Sequence, residues 1–184
     1  GDIEHLRYPE DKLSGKIIKT VSSKIGTLIK KSKGLLECQD IIKRQITQRL
    51  GLPACSRIIL FTTQQHRQSY EYVDIISDIF TELLEELRLK DIYLLIKPHP
   101  LEFKSIYRII KMYKNKKNII IRKDINLYKT IIASDMIITY YSFTAYEAAL
   151  LNTRAVYMDL IKRITGVPYL KHPLCRIISD IDEL

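Results

Sequence analysis

At 184 residues and 46% apolar content the chain is sized for one hydrophobic core, and a free-standing enzyme of two full domains would be cramped in it. A formal charge of +9 favours an anionic partner, whether nucleotide phosphates, an acidic polymer or a membrane surface, and does not choose among them. No apolar run reaches spanning length, the N-terminus does not read as a signal peptide, and Cys38, Cys55 and Cys175 are too far apart for a CxxC pair, which argues against disulfides and zinc and predicts reduced thiols in the cytoplasm.

Apolar residues at Leu13, Ile17, Ile18, Val21, Ile25, Leu28 and Ile29 fall at steps of three and four and predict one helical face. Seven lysines and no acidic residue lie between Lys12 and Lys33, so the other face is positive. Two readings stand side by side: a helix packed on the domain with a solvated lysine face, and a helix lying on an anionic membrane surface. Leu36, Ile41, Ile42, Ile46 and Leu50 continue the pattern into a second helix of about 13 residues, stopped by Gly51 and Pro53.

From there the pattern alternates between short apolar runs and amphipathic stretches. Strands are expected at 57–63, 92–97, 118–123, 135–140 and 154–160, with helices at 70–89, 102–115, 127–133 and 144–151 between them. A loop over "GVPYLKHP", a last short strand in "CRIIS" and a capped first turn in "DIDEL" close the chain. Continuously apolar strands alternating with helices predict an α/β domain, a Rossmann-like parallel sheet with helices on both faces.

In such a sheet ligands bind beyond the carboxyl ends of the strands. The polar residues at four of those ends are Thr62, Thr63, Gln64 and Gln65; Lys97, His99 and Pro100; Tyr140, Tyr141, Ser142 and Thr144; and Asp159. In "LLIKPHP" Pro98 and Pro100 hold His99 at a rigid strand exit, where an imidazole can donate a hydrogen bond to a phosphate. The other reading is that His99 merely begins the following helix. In "TYYSFTAYEAALL" Ser142 or Phe143 caps a helix starting near Thr144, and either the cap is its whole role or Ser142 and Thr144 help the helix start hold a phosphate, with Glu147 placed to meet ribose hydroxyls.

"ILFTTQ" (59–64), "LLIKPHPLE" (94–102), "SDMIITYYSFTAYEAALLNTRAVYMDL" (134–160) and the closing "GVPYLKHPLCRIISDIDEL", in this order, resemble the C-terminal half of GT-B glycosyltransferases. The nearest are the capsule-polysaccharide and CDP-glycerol glycerophosphotransferase type, with UDP-N-acetylglucosamine 2-epimerase among their relatives. The resemblance covers roughly residues 47–184, taken as the nucleotide-donor-binding domain, after a basic helical N-terminal segment over 1–46. It implies that His99, as the catalytic group, contacts the donor phosphate. Ser142 and Thr144 would hold the diphosphate, Glu147 would meet the ribose, Thr63 and Gln64 would face the interdomain cleft, and Lys97 would help stabilise the leaving group. It implies no metal and no cofactor; a CDP-, CMP- or UDP-linked sugar or polyol donor enters as substrate.

The expected function is therefore donor binding in a glycosyl- or polyol-phosphate transferase of capsule or cell-envelope polysaccharide synthesis. Nothing in the chain has the size of the N-terminal acceptor domain of a GT-B enzyme, so catalysis by this portion alone is not expected. A 2-epimerase-like enzyme is the alternative, against which "YSFTAYEA" stands where that family has a Ser-Gly-Gly helix start. A nucleic-acid or anionic-surface module would use the lysine face, but the twelve tyrosines form no RNA-binding signature, so no nucleic acid is expected. Peripheral contact at the inner face of the membrane through the lysine-rich helix 12–33 stays open.

Overall fold

Successive side chains of a strand point to opposite faces, and in this chain both faces of every central strand are apolar. The structure, a computed structural model, describes residues 23–64, 69–86, 91–101, 118–140, 142–159 and 172–183. Its strands are β1 (Arg57–Thr62), β2 (Ile92–Lys97), β3 (Ile119–Ile121), β4 (Met136–Tyr140), β5 (Arg154–Met158) and β6 (Cys175–Ile178). They form one six-stranded sheet in the order β3-β2-β1-β4-β5-β6, with every pair parallel. This is the Rossmann-like sheet expected from the alternation, and the order reverses between β1 and β4.

The described helices are α1 (Ser23–Glu37), α2 (Gln39–Leu50), α3 (Ser69–Glu86), α4 (Leu127–Ala133) and α5 (Thr144–Leu150). Ile58 and Leu60 of β1, Leu95 of β2, Ile137 of β4 and Ala155 and Tyr157 of β5 point to one face, where they meet residues of α1, α2, α4 and α5. Phe61, Leu94, Ile96, Ile138, Tyr140 and Met158 point to the other and pack with Val73, Ile76 and Phe80 of α3. Fully burying each large apolar side chain stabilises by about 1.5–3 kcal/mol, so these two layers hold the sheet.

Several boundaries differ from those expected. The junction between the first two helices falls at Cys38, and α1 runs through Gly34 to Glu37. A glycine costs an isolated helix about 1 kcal/mol, but Leu28 is buried in the core and Leu35 packs against it, so tertiary contacts carry the helix past Gly34. The boundary expected after residue 46 lies inside α2, whose Ile42, Ile46 and Leu50 share the core of β1 and β4. Gly51 ends α2 with φ of 70°, its N–H donating to Gln48 and that of Leu52 to Thr47, a left-handed cap that suits glycine. Strand β3 spans three residues, and Asn118 precedes it with φ of 69°, its side-chain amide donating to the Ile92 carbonyl. The final turn is a 3-10 turn, Ile181–Glu183, in which the Glu183 carboxylate accepts from the amides of Ser179 and Asp180. The expected helix at 102–115, residues 166–171 of the expected 166–173 loop and the first part of the lysine-rich helix, 12–22, lie outside the described residues.

Asp135 fastens the sheet to its helical layer. Its N–H donates to the Ile58 carbonyl and its carboxylate accepts from the Ile58 N–H at 2.8 Å, while Lys43 of α2 donates to the same carboxylate at 3.0 Å.

Candidate functional site

Because β1 and β2 are parallel neighbours, their exits lie side by side, and a reciprocal pair of bonds joins them. The Thr63 N–H donates to the Lys97 carbonyl at 3.2 Å, and the His99 N–H donates to the Thr63 hydroxyl at 3.0 Å. His99 is therefore a fixed point of the strand exit. Its Nδ1 accepts from the Leu101 N–H at 3.3 Å, so the neutral ring carries its proton on Nε2, a donor.

On the other side of β1, Thr62 pairs in register with Thr139 of β4, and their buried hydroxyls bond at 2.9 Å. The β4 exit leads to Ser142 and Thr144, both buried, with hydroxyls 2.7 Å apart. Phe143 is the N-cap of α5 and provides no side-chain cap, while the Ser142 hydroxyl accepts the Thr144 N–H at 3.2 Å. The N–H groups of Ala145, Tyr146 and Glu147 bond to the carbonyls of Ser142 and Phe143. The first-turn amides expected to be free for a phosphate thus have partners in the chain.

A cavity of about 170 Å³ opens at these strand ends, lined by Thr62, Thr63, Gln64, Lys97, Pro98 and His99 together with Pro100, Ile125, Leu127 and Thr144. Five of the expected site residues, Thr63, Gln64, Lys97, His99 and Thr144, come together here from three strand exits. Ser142 adjoins through its bond to Thr144. Glu147 is separate: only 1% exposed, it accepts a hydrogen bond from the Tyr128 hydroxyl at 3.1 Å, within the packing of α4 against α5. Asp159 is buried at the end of β5, its N–H donating to Ile178. Gln65 and Tyr141 lie outside the described residues.

Lys97 is buried, and its ammonium donates to the Lys123 carbonyl at 3.1 Å. Burial lowers its pKa, the nearby Asp124 carboxylate works against that, and Lys123 adds to the lowering. Asp124 in turn accepts from Arg49 of α2 at its carbonyl (2.9 Å) and its carboxylate (3.0 Å).

Ile125 and Leu127 are the lining residues that sequence reasoning missed. They follow β3, whose carboxyl end, like that of β6, carries none of the site residues expected from sequence; the strand-end rule applied to β3 finds the segment. Asn126 between them caps α4 by accepting the Lys129 N–H.

A six-stranded parallel sheet in this order, with a crevice at the strand ends where the order reverses, defines a Rossmann-like α/β domain. The chain belongs to the CDP-glycerol:poly(glycerophosphate) glycerophosphotransferase family, whose family model matches residues 35–158. Comparison with curated proteins gives no match. Among solved structures, a histidine-to-alanine variant of the wall teichoic acid polymerase TagF superposes with a TM-score of 0.58 at 18% identity, over 83% of this chain and 39% of that one. TagF without a stated substitution gives 0.51 at 18% identity, over 66% and 29%. The UDP-GlcNAc 2-epimerase of Methanocaldococcus jannaschii, solved with UDP-GlcNAc and UDP, gives 0.58 at 16% identity, over 85% and 43%. At these identities the likeness is one of fold, and the chain spans 28% to 39% of the length of the TagF chains it matches.

Proposed function

We propose that this chain is the donor-binding part of a transferase that moves a polyol phosphate, in the first instance glycerol phosphate from CDP-glycerol, onto a growing cell-envelope polymer. The observation that carries the reading is the single crevice formed by Thr63, Gln64, Lys97, His99 and Thr144 in a chain of this family. Its polar groups suit phosphate oxygens, while Pro98, Pro100, Ile125 and Leu127 offer apolar surface to a ring. The cavity is smaller than the roughly 300 Å³ at which whole-ligand pockets begin, so it takes one moiety of the donor and leaves the rest in the open crevice.

In glycerophosphate transfer an acceptor hydroxyl forms a bond to the glycerol-bearing phosphorus, the bond from that phosphorus to the bridging oxygen breaks, and CMP departs with that oxygen. The leaving group is thus a nucleoside monophosphate, where a sugar transfer would release a diphosphate. A hydrogen bond from His99 Nε2–H would stabilise negative charge as it develops on the departing phosphate. Acceptor binding and removal of the hydroxyl proton are assigned to the part of the full-length relatives beyond the matched region.

No described helix is long and apolar enough to cross a membrane. Over Ser23–Glu37 the lysine-rich helix packs on the domain through Leu28, while Lys30, Lys31 and Lys33 stay exposed beside Ile29. These are the residues proposed for peripheral contact with an anionic membrane face.

The test is a thermal-shift titration of the chain with CMP, CDP, UDP, GDP and ADP. A bound nucleotide at 100 times its dissociation constant adds about 2.7 kcal/mol of stability. Selective stabilisation by cytidine nucleotides is expected, and equal indifference to all five would remove the reading.

A further inference from the structure

Lys97 lines the cavity, yet its ammonium is engaged with the neighbouring segment that contributes Ile125 to the lining. The hydrogen bond from Lys97 Nζ to the Lys123 carbonyl ties the end of β2 to residues 122–126, which lead from β3 into α4. The same segment is held at three further points. The Arg122 N–H donates to Ile96, Arg49 grips Asp124 from α2, and the Asn126 side chain caps α4. Ile125, between these anchors, is buried in the core and also faces the cavity. Of the four tethers, the Lys97 bond is the one made by a side chain that itself lines the cavity.

We propose that Lys97 is a positioning residue, whose ammonium holds the 122–126 segment so that Ile125 and Leu127 form the apolar wall against the nucleoside, in place of pairing with the donor phosphates. This rests on the reading of the crevice as a nucleotide site. The burial that disfavours the ammonium, and the Asp124 carboxylate that compensates for it, agree with a charge spent inside the protein.

The two roles separate by counting phosphates. A lysine that pairs with phosphate loses most on the ligand with most charge, whereas one that places a wall costs every ligand sharing the nucleoside the same factor. NMR titrations of the wild-type chain and Lys97→Met with cytidine, CMP and CDP measure this. The expected result is a loss of about tenfold, the lower range for one charge-assisted hydrogen bond, equal across the three ligands. Ile125→Ala should show the same pattern, and in combination with Lys97→Met the losses should fall short of additive. A loss that grows from cytidine to CDP overturns the proposal, as does no loss at all. If Lys97→Met does not fold, Lys97→Gln takes its place in the same titrations: it keeps a donor without the charge, and an equal loss across the ligands supports the proposal while a graded one overturns it. Failure of the wild-type chain to bind any cytidine ligand overturns both this inference and the functional reading, whereas wild-type binding with a graded loss in the variant overturns this inference alone.

Discussion

The Thr63 hydroxyl accepts the backbone N–H of His99 at 3.0 Å, across the exits of two neighbouring strands. A backbone donor satisfied by a side chain from another strand makes the histidine's position depend on a residue 36 positions earlier. Thr63 is 2% exposed, so water does not readily replace the hydroxyl. Thr63→Val, close in volume but without the acceptor, should lower stability by about 1–2 kcal/mol and weaken CDP binding, while Thr63→Ser retains both. Urea denaturation beside a CDP titration checks the pair; equal behaviour of the two variants would show that the hydroxyl does not organise the exit.

His99→Ala tests binding without the fold. The side chain is partly exposed, and its loss should weaken CDP by about tenfold or more while the thermal midpoint without ligand stays near that of the wild type. Ile137→Asp is its counterpart. Ile137 is fully buried in β4 between β1 and β5, where an unpaired carboxylate has no solvent, so the variant should fail to fold. A soluble Ile137→Asp chain with a cooperative transition would refute the sheet assignment.

Tyr128 and Glu147 join α4 to α5 behind the cavity. Tyr128→Phe removes a donor from a carboxylate that is 1% exposed and should cost about 1–3 kcal/mol by chemical denaturation. If Glu147 instead meets the ribose in the bound state, Glu147→Gln will weaken CDP binding more than it lowers stability. The two measurements together say which role the carboxylate has.

The Arg49–Asp124 pair predicts a response to acid. The Asp124 carboxyl lies below its ordinary pKa, first through its own backbone hydrogen bond and then through the one from Arg49. A depressed folded value means that the contribution is complete above the unfolded value and lost as pH falls through the folded one, that is, below roughly pH 4. Asp124 is fully exposed to solvent screening, so the effect is small. Arg49→Ala should narrow the difference in urea midpoint between about pH 6 and pH 3, and an unchanged difference would show that the pair is not formed in solution.

Much of the architecture is legible in particular residues. "RIILFT", "IYLLIK" and "MIITY" are apolar on both faces, which a strand tolerates only between two layers, and Gly51 marks the end of α2 by needing a left-handed conformation. Of the cavity lining, Thr63, Gln64, Lys97, His99 and Thr144 are readable because the ends of neighbouring strands in a parallel sheet lie side by side. Less legible were the passage of α1 through Gly34, which packing decides, and the start of β3 after Asn118, which one backbone angle decides.

The sequence by itself determined the alternation of strand and helix, both apolar faces of the sheet, and the polar residues at the strand exits, since periodicity and local backbone chemistry are properties of neighbours along the chain. Only the tertiary structure decided that β4 pairs with β1, bringing Thr139 against Thr62 and Thr144 to the cavity of His99. It alone turned Glu147 towards Tyr128, gave Ile125 and Leu127 to the cavity wall, and committed the Lys97 ammonium to the Lys123 carbonyl. Those outcomes depend on strand order and on which buried polar group finds a partner, and such long-range choices are settled by packing and hydrogen-bond satisfaction across segments far apart in the chain.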